Sequence, residues 1–193
     1  CNVSRAPLRL GTAEQERNCA QYADWVLSQT SGSAYDLVVT SERQSAQVRG
    51  EDWPGTRREA TAAYTDYLRR WADSGATVVV LQDQVVPDGE TRRVPECLAR
   101  TDLDIDACSW PARPPVPTDP DAPRFMDPLY DAARALDHPR VRWVDTHDLL
   151  CPDGVCRPVV GGVVTLFDAS HYTATYAATM APATAAAARP SAN

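Results

Sequence analysis

Three short apolar runs constrain the fold of this chain more than any other feature. They are "DLVVTS" at residues 36–41, "TVVVLQD" at residues 77–83 and "VRWVD" at residues 141–145. The first two runs do not alternate between apolar and polar residues, and the third, which contains Arg142, is expected to be a third strand. A continuous apolar run of this length is typical of a strand that is buried on both faces of a parallel sheet. The runs therefore predict a parallel α/β sheet.

One segment with a helical pattern precedes the first strand, and another lies between the first and second strands. Residues 12–30 begin with a capping box, in which Thr12 is the N-cap and Gln15 reaches back to it. A second capping box, Thr56 with Glu59, predicts the start of the next helix. The order of strand, helix and strand is that of a βαβ unit.

The rest of the chain continues this pattern around one interruption. Residues 86–124 are rich in proline and hold one cysteine pair, so we expect a surface insertion there. A helix is predicted to resume with Asp127 as N-cap and Pro128 in its first turn. Residues 183–193 are expected to form a fraying tail. We expect a single domain over residues 1–193, because no linker divides the sequence.

Six cysteines bear on where the protein works. Neighbours in sequence give the simplest pairing, although about 15 full pairings are possible. Buried thiols or a zinc site are the alternatives, but zinc sites usually contain close Cys-x-x-Cys pairs and none occurs here. Disulfides would imply an oxidising, extracytoplasmic location. The expected pairs are Cys1–Cys19, Cys97–Cys108 and Cys151–Cys156.

Composition argues against two classes of partner. The formal net charge of -7 disfavours nucleic acid and anionic membrane surfaces. No apolar run approaches the roughly 18 residues that a membrane-spanning helix needs. We therefore expect no direct membrane insertion by this segment.

The stretch "LFDASHYTATYA", residues 166–177, contains the main candidate for chemistry. Asp168 and His171 lie three residues apart, and side chains at this spacing in a turn share one side. An aspartate can hold one ring nitrogen of a histidine and leave the other as a general base. The spacing alone favours the simpler interpretation, an aspartate that caps a turn beside a surface imidazole, because Asp-x-x-His is a short pattern.

The order of all these features resembles the SGNH-type hydrolase domains that are fused to bacterial membrane acyltransferases of the acyltransferase-3 class. The resemblance runs over most of the chain, from the early cysteine pair through "DLVVTS", "TVVVLQD", "VRWVDTHDLLC" and "CRPVV". Its most specific part is "FDASHYTATYA", which is similar to the family's terminal Asp-x-x-His block. It implies a three-layer flavodoxin-like parallel sheet with helices on both faces, of which this sequence would lack a part at the N-terminus. It also implies that Asp168 is the acid of a catalytic triad and that His171 is its base.

The resemblance also implies a function. The domain would act in O-acyl transfer, most simply of acetyl groups, to a cell-envelope glycan, or would hydrolyse such esters. Its partners would be the glycan acceptor, an acyl donor and a membrane acyltransferase domain in the same polypeptide, to which an N-terminal region tethers it. No cofactor is needed, since a serine, a histidine and an aspartate suffice for this chemistry.

The sequence departs from the family pattern at the position of the nucleophile. The family's serine lies in a Gly-Asp-Ser motif at the end of its first strand, and this motif is absent from the sequence. The matching position would precede Cys1, so we expect the serine and two further strands upstream of residue 1. Ser41, after the first predicted strand, is a weaker candidate for the nucleophile. The family usually supplies oxyanion-side groups from this block, so Ser41 could have such a role or none. Arg43 could have a substrate-binding role toward a sugar or carboxylate, although a solvated arginine is the simpler interpretation, and Ser170 is expected to be a turn residue.

A catalytically silent module is the alternative from another class. Such a module would bind an envelope glycan or dock a partner domain while keeping the fold. His138 and His147 lack partners at ligand spacing, so no metal site is expected. Tryptophans could provide a surface for sugar stacking, although Trp71 and Trp143 have the positions of core residues. The five tryptophans are Trp25, Trp53, Trp71, Trp110 and Trp143.

Overall fold

A computed structural model of the chain describes residues 1, 4, 12–32, 34–42, 53–87, 93–112 and 127–189. Helices and strands, in chain order, are α1 (Ala13–Thr30), β1 (Leu37–Thr40), α2 (Trp53–Asp73), β2 (Thr77–Leu81), α3 (Val94–Arg100), β3 (Trp110–Pro111), α4 (Pro128–Ala135), β4 (Val141–Val144), α5 (Thr146–Leu150), β5 (Val155–Cys156), β6 (Val159–Val160), β7 (Val163–Val164) and α6 (Ala174–Ala188). They divide between two compact units. The sheet unit comprises Cys1–Asp83, Val116–Val144 and Ala187–Asn193, and the second unit comprises Gln84–Pro115 and Asp145–Ala186.

The three predicted strands form the parallel sheet of the sheet unit. Its order is β1-β2-β4, with Val38 aligned to Val78 and Val78 to Val141. Val78, Val79 and Val80 of β2 are completely buried. Because successive side chains of a strand point to opposite faces, both faces of β2 are covered, as in a three-layer α/β fold.

Helices α1, α2 and α4 cover the face of the sheet that carries Val78 and Val80. Two side chains of α2 also bond to α1: the Tyr67 hydroxyl donates to the Ala23 carbonyl, and Trp71 Nε1 donates to Thr30 Oγ1 at 2.6 Å. The buried members of this core are Cys19, Ala23, Leu27, Ala60, Tyr64, Tyr67, Leu68, Trp71, Ala72, Val78, Val80, Leu129, Ala132, Ala133 and Val141.

The outer strand β1 is far less buried than β2. Leu37 is 43 % exposed and Val39 is 48 % exposed, whereas Val38 packs against the helical core. Within the part of the chain that the structure describes, β1 pairs only with β2. One edge of β1 thus has no described partner strand, and one face of its side chains is partly exposed.

Two predicted helix starts are confirmed and one is wrong. Thr12 and Gln15 form the capping box of α1, and Asp127 caps α4. Helix α2 starts at Trp53, so Thr56 lies inside the helix and is not its N-cap. The last helix also differs from expectation, because α6 continues through Pro182 to Ala188 where a tail was expected from residue 183.

The second unit contains the elements that the sequence did not predict. Part of the expected surface insertion supplies α3 and β3, and Val94, Leu98 and Trp110 are buried in this unit's core. Strand β3 pairs antiparallel with β5. Strands β6 and β7 form a hairpin with positive φ at Gly161 and Gly162, as a type I′ turn requires.

All six cysteines form disulfides between sequence neighbours. The pairs are Cys1–Cys19 in the sheet unit, and Cys97–Cys108 and Cys151–Cys156 in the second unit. This is the predicted pairing, and disulfides are typical of extracytoplasmic proteins. Among the helices described, none has the length and apolarity to cross a membrane.

Candidate active site

Asp168 and His171 lie in a turn that is closed by backbone bonds. Leu166 and Tyr172 form an antiparallel bridge, and the Phe167 N–H donates to the His171 carbonyl at 3.0 Å. Leu166 is completely buried, which anchors the base of the turn in the core of the second unit. The turn therefore presents residues 167–171 from a fixed base.

The segment after the turn is held by Thr173. Its hydroxyl donates to the Val164 carbonyl at 2.6 Å and accepts from the Tyr176 N–H at 3.2 Å, which caps α6. Tyr176 in turn donates to the Leu149 carbonyl at 2.9 Å, and burial raises the pKa of its hydroxyl. Helix α6 is thereby fixed at the end where it joins the candidate site.

Asp168 uses its two carboxylate oxygens for different purposes. Oδ1 accepts from the backbone N–H groups of Ser170 and His171, each at 2.8 Å. Oδ2 lies 2.8 Å from Nδ1 of the His171 ring. The bond from the Ser170 N–H is the main cause that lowers the pKa of Asp168, with the His171 ring and its backbone N–H adding to it. Asp168 caps the turn and also holds the imidazole.

This geometry determines the tautomer of His171. A carboxylate can only accept, so Nδ1 must carry the proton that bonds to Oδ2 of Asp168. Nε2 of a neutral imidazole then has the lone pair and can accept a proton. The His171 side chain is exposed. The two residues are arranged as the acid and base of a serine-type triad.

Ser170 lies close to the ring but beside the wrong nitrogen. Its hydroxyl is 3.5 Å from Nδ1, which Asp168 already holds. A nucleophile must instead lie at Nε2, the nitrogen that accepts the proton. Ser170 therefore acts as a turn residue, through its N–H to Asp168.

The structure does not place the weaker candidates, Ser41 and Arg43, in the same unit as this turn. Ser41 directly follows β1, is exposed and belongs to the sheet unit. Arg43 lies outside the described residues. An oxyanion-side or substrate-binding role for these two residues stays a prediction.

The tryptophans divide between core and surface. Trp71 is buried as expected, and Trp110 is also buried, with Nε1 donating to the Val85 carbonyl at 3.3 Å. Trp25 is exposed beside Tyr22, with 6.0 Å between ring centroids. The prediction that Trp143 is a core residue is wrong, because it is 42 % exposed on an outer strand of the described sheet. The Trp53 side chain lies outside the description.

Asp127, the N-cap of α4, has a carboxyl group with a raised pKa. Oδ1 accepts from the Tyr130 N–H at 2.9 Å and Oδ2 accepts from the Asp83 N–H at 2.8 Å, just beyond the carboxyl end of β2. Burial nevertheless raises the pKa of Asp127 to about 6, and the nearby Asp83 and Asp131 carboxylates contribute to the rise.

The remaining histidines do not form a metal site with other described residues. Nε2 of His138 lies 3.5 Å from Oδ1 of Asp73 in the sheet unit. In the described ranges, no group of three or more His, Cys, Asp or Glu side chains is arranged to hold a metal ion.

Comparison with known proteins gives one match. The model of a family described as "SGNH domain (fused to AT3 domains)" matches residues 3–186, and so includes the Asp168–His171 turn and most of both units. No curated protein matches the chain. No solved structure matches it either.

Proposed function

Because this chain belongs to the family of SGNH domains that are fused to AT3 domains, we propose that it catalyses O-acyl transfer to a cell-envelope glycan or the hydrolysis of such an ester. One observation supports this proposal above all others. Nδ1 of His171 lies 2.8 Å from a carboxylate oxygen of Asp168, and two backbone N–H groups hold the other oxygen. Such a pair can make the second ring nitrogen a general base.

The proposed reaction has two halves. In the first, His171 Nε2 takes the proton of a serine hydroxyl while the serine oxygen attacks the acyl carbon of the donor ester. The donor's carbon–oxygen bond breaks, and the imidazolium returns its proton to the departing alcohol oxygen. In the second, His171 takes the proton of a glycan hydroxyl, that oxygen attacks the acyl-serine, and the serine oxygen leaves with the proton. Water in place of the glycan gives hydrolysis.

Asp168 contributes to both halves of the proposed reaction through the imidazole of His171. Its ionised carboxylate holds the Nδ1–H tautomer and stabilises the imidazolium that forms when Nε2 takes a proton. The three N–H donors around this carboxylate lower its pKa. Asp168 therefore stays ionised through neutral and mildly acidic pH.

We further propose that the serine comes from a Gly-Asp-Ser segment outside these residues. The sequence has no such motif, and Ser170 lies at the wrong ring nitrogen. The strand of that segment would pair with the outer edge of β1. Strands of parallel sheets are normally covered on both faces, whereas Leu37 is 43 % exposed and Val39 is 48 % exposed.

The proposed setting is the extracytoplasmic side of a bacterial membrane. Three disulfides favour an oxidising compartment, and the family description associates such domains with AT3 domains. We propose that an acyltransferase domain in the same polypeptide passes acyl groups to this domain, which then transfers them to the glycan.

The test compares His171→Ala and His138→Ala in the full-length polypeptide with an acetyl ester as substrate. His138 is a matched control because it also lies beside an aspartate, Asp73. We expect His171→Ala to lower kcat about a thousandfold or more, and His138→Ala to leave kcat unchanged. Wild-type turnover by the His171→Ala variant would overturn the proposal.

A silent glycan-binding module is the second candidate. The exposed Tyr22 and Trp25 pair on α1 favours it, since paired aromatic rings can bind the apolar face of a sugar. This candidate requires glycan binding that Trp25→Ala weakens and His171→Ala leaves intact, with no ester turnover in any variant. Turnover that depends on His171 would exclude it.

A further inference from the structure

The aromatic ring of Phe167 is exposed in an otherwise well-anchored turn. It is 58 % exposed, although its neighbours Thr165 and Leu166 are completely buried. One of its faces is stacked on the imidazole of His171, with 5.5 Å between ring centroids and 23° between the planes. A large apolar ring thus lies beside the proposed general base and keeps much of its surface open to solvent.

The turn itself does not need this ring. Phe167 contributes its backbone N–H to the closure of the turn, and any residue except proline has that group. The other supports are the Asp168 carboxylate, the Leu166–Tyr172 bridge and the Thr173 hydroxyl. Apolar surface that stays in water adds no hydrophobic stabilisation. The exposed part of the ring is therefore available to a ligand without loss of structure.

We propose that Phe167 is a specificity-determining residue, whose exposed ring surface binds the sugar ring that carries the reacting hydroxyl. The proposal rests on the proposed function and names its substrate class more closely: an ester or alcohol of a pyranose. A pyranose has faces of C–H groups, and aromatic side chains bury such faces in ligand sites.

The chemistry explains why the sugar, and not the acyl group, would meet this ring. Nε2 of His171 exchanges its proton with the alcohol oxygen, either of the departing alcohol or of the acceptor. The carbon skeleton attached to that oxygen must then lie next to the imidazole, where Phe167 is stacked. The carbonyl oxygen of the acyl group is held by oxyanion donors instead.

The experiment varies the alcohol part of the ester while the acyl group stays acetyl. Acetylated methyl glucopyranoside and methyl acetate are hydrolysed by the full-length polypeptide, as wild type and as Phe167→Ala, Phe167→Leu and Phe167→Tyr variants. We expect Phe167→Ala to raise KM about tenfold for the sugar acetate and to leave KM for methyl acetate unchanged. Tyrosine should retain the wild-type KM, and leucine, which lacks a flat ring, should not.

Two controls separate this inference from the proposed function. Leu103→Ala removes another exposed apolar side chain of the second unit and should change neither KM. His171→Ala should abolish turnover of both esters, and its failure to do so would refute the proposed function whatever Phe167 does. If His171 is essential but Phe167→Ala leaves the KM of the sugar acetate unchanged, or impairs both esters equally, the role of Phe167 in sugar binding is refuted.

Discussion

Asp168 and Asp127 both accept backbone N–H bonds at the start of a local structure, yet the pKa values of their carboxyl groups move in opposite directions. Asp168 accepts two backbone N–H groups and the His171 ring in an exposed turn, so its pKa is lowered. Asp127 also accepts two backbone N–H groups, but burial outweighs them and raises its pKa to about 6. The balance between desolvation and hydrogen bonding decides the sign.

The raised pKa of Asp127 gives a pH-dependent prediction. A carboxyl whose pKa is higher in the folded state binds its proton more tightly when folded, so it favours folding most below about pH 4. That contribution is lost as the pH rises through about 6. Asp127→Asn does not titrate. The free energy of unfolding of wild type relative to this variant should therefore fall between pH 4 and 6 or 7, by on the order of 2 kcal/mol.

Chemical denaturation at several pH values measures this difference. Asp127→Ala is the control, because it also lacks the charge but loses the N-cap of α4. It should show the same pH dependence relative to wild type, with a larger constant loss of stability. A difference between wild type and Asp127→Asn that stays flat from pH 4 to 7 would show that burial does not disfavour the charge.

At the scale of elements, Thr173 links the candidate site to helix α6. Its hydroxyl caps the helix and bonds to the Val164 carbonyl of β7. Thr173→Ala should lower the free energy of unfolding by about 1 kcal/mol or somewhat more, because it removes both bonds. Thr173→Ser keeps the hydroxyl and should lose much less. Equal stability of the alanine variant and the wild type in urea unfolding would contradict this view of the cap.

The sequence predicted the elements whose local signals agree with their packing. The apolar runs of β1, β2 and β4 predicted the parallel sheet, which the structure confirms. The capping box of Thr12 and Gln15 predicted where α1 begins. Thr56 carries a similar signal but lies inside α2. A capping pattern can occur within a helix, since it specifies a start only where the preceding residues leave the helix.

The second unit was harder to predict because its strands are two residues long. Strands of this length have no measurable periodicity. The pair Gly161 and Gly162 between two Val-Val pairs was a hairpin signal that could have been recognised. The spacing of Asp168 and His171 left two interpretations open, a capped turn and a catalytic pair. The structure shows the capped turn and a contact between the same carboxylate and the His171 ring, and the catalytic role stays a proposal. Phe167 had no sequence signal, since exposure depends on the tertiary fold.

At the scale of the whole molecule, the proposed Gly-Asp-Ser segment bears on both the described sheet and the candidate triad. The described sheet has three strands, and one edge of β1 has no described partner. Asp168 and His171 make the contact that the proposal assigns to the acid and base of a triad, but no Gly-Asp-Ser motif occurs in the sequence. We propose that one added strand pairs with β1 and that its Gly-Asp-Ser motif carries the serine.

This proposal predicts how activity should depend on β1. These 193 residues alone should hydrolyse acetyl esters very slowly. Addition of the Gly-Asp-Ser segment should restore turnover, and the restored turnover should require both the serine of that segment and His171. Val39→Lys should prevent the restoration, because a charged side chain on an outer strand opposes pairing with a further strand. Since Val39 is 48 % exposed, the substitution should leave the isolated chain folded, as circular dichroism would show.

Tyr22→Lys, at an exposed position of α1, is the matched control and should not prevent restoration. Rapid hydrolysis by the isolated chain that Ser41→Ala abolishes would instead identify Ser41 as the nucleophile and refute the need for another strand.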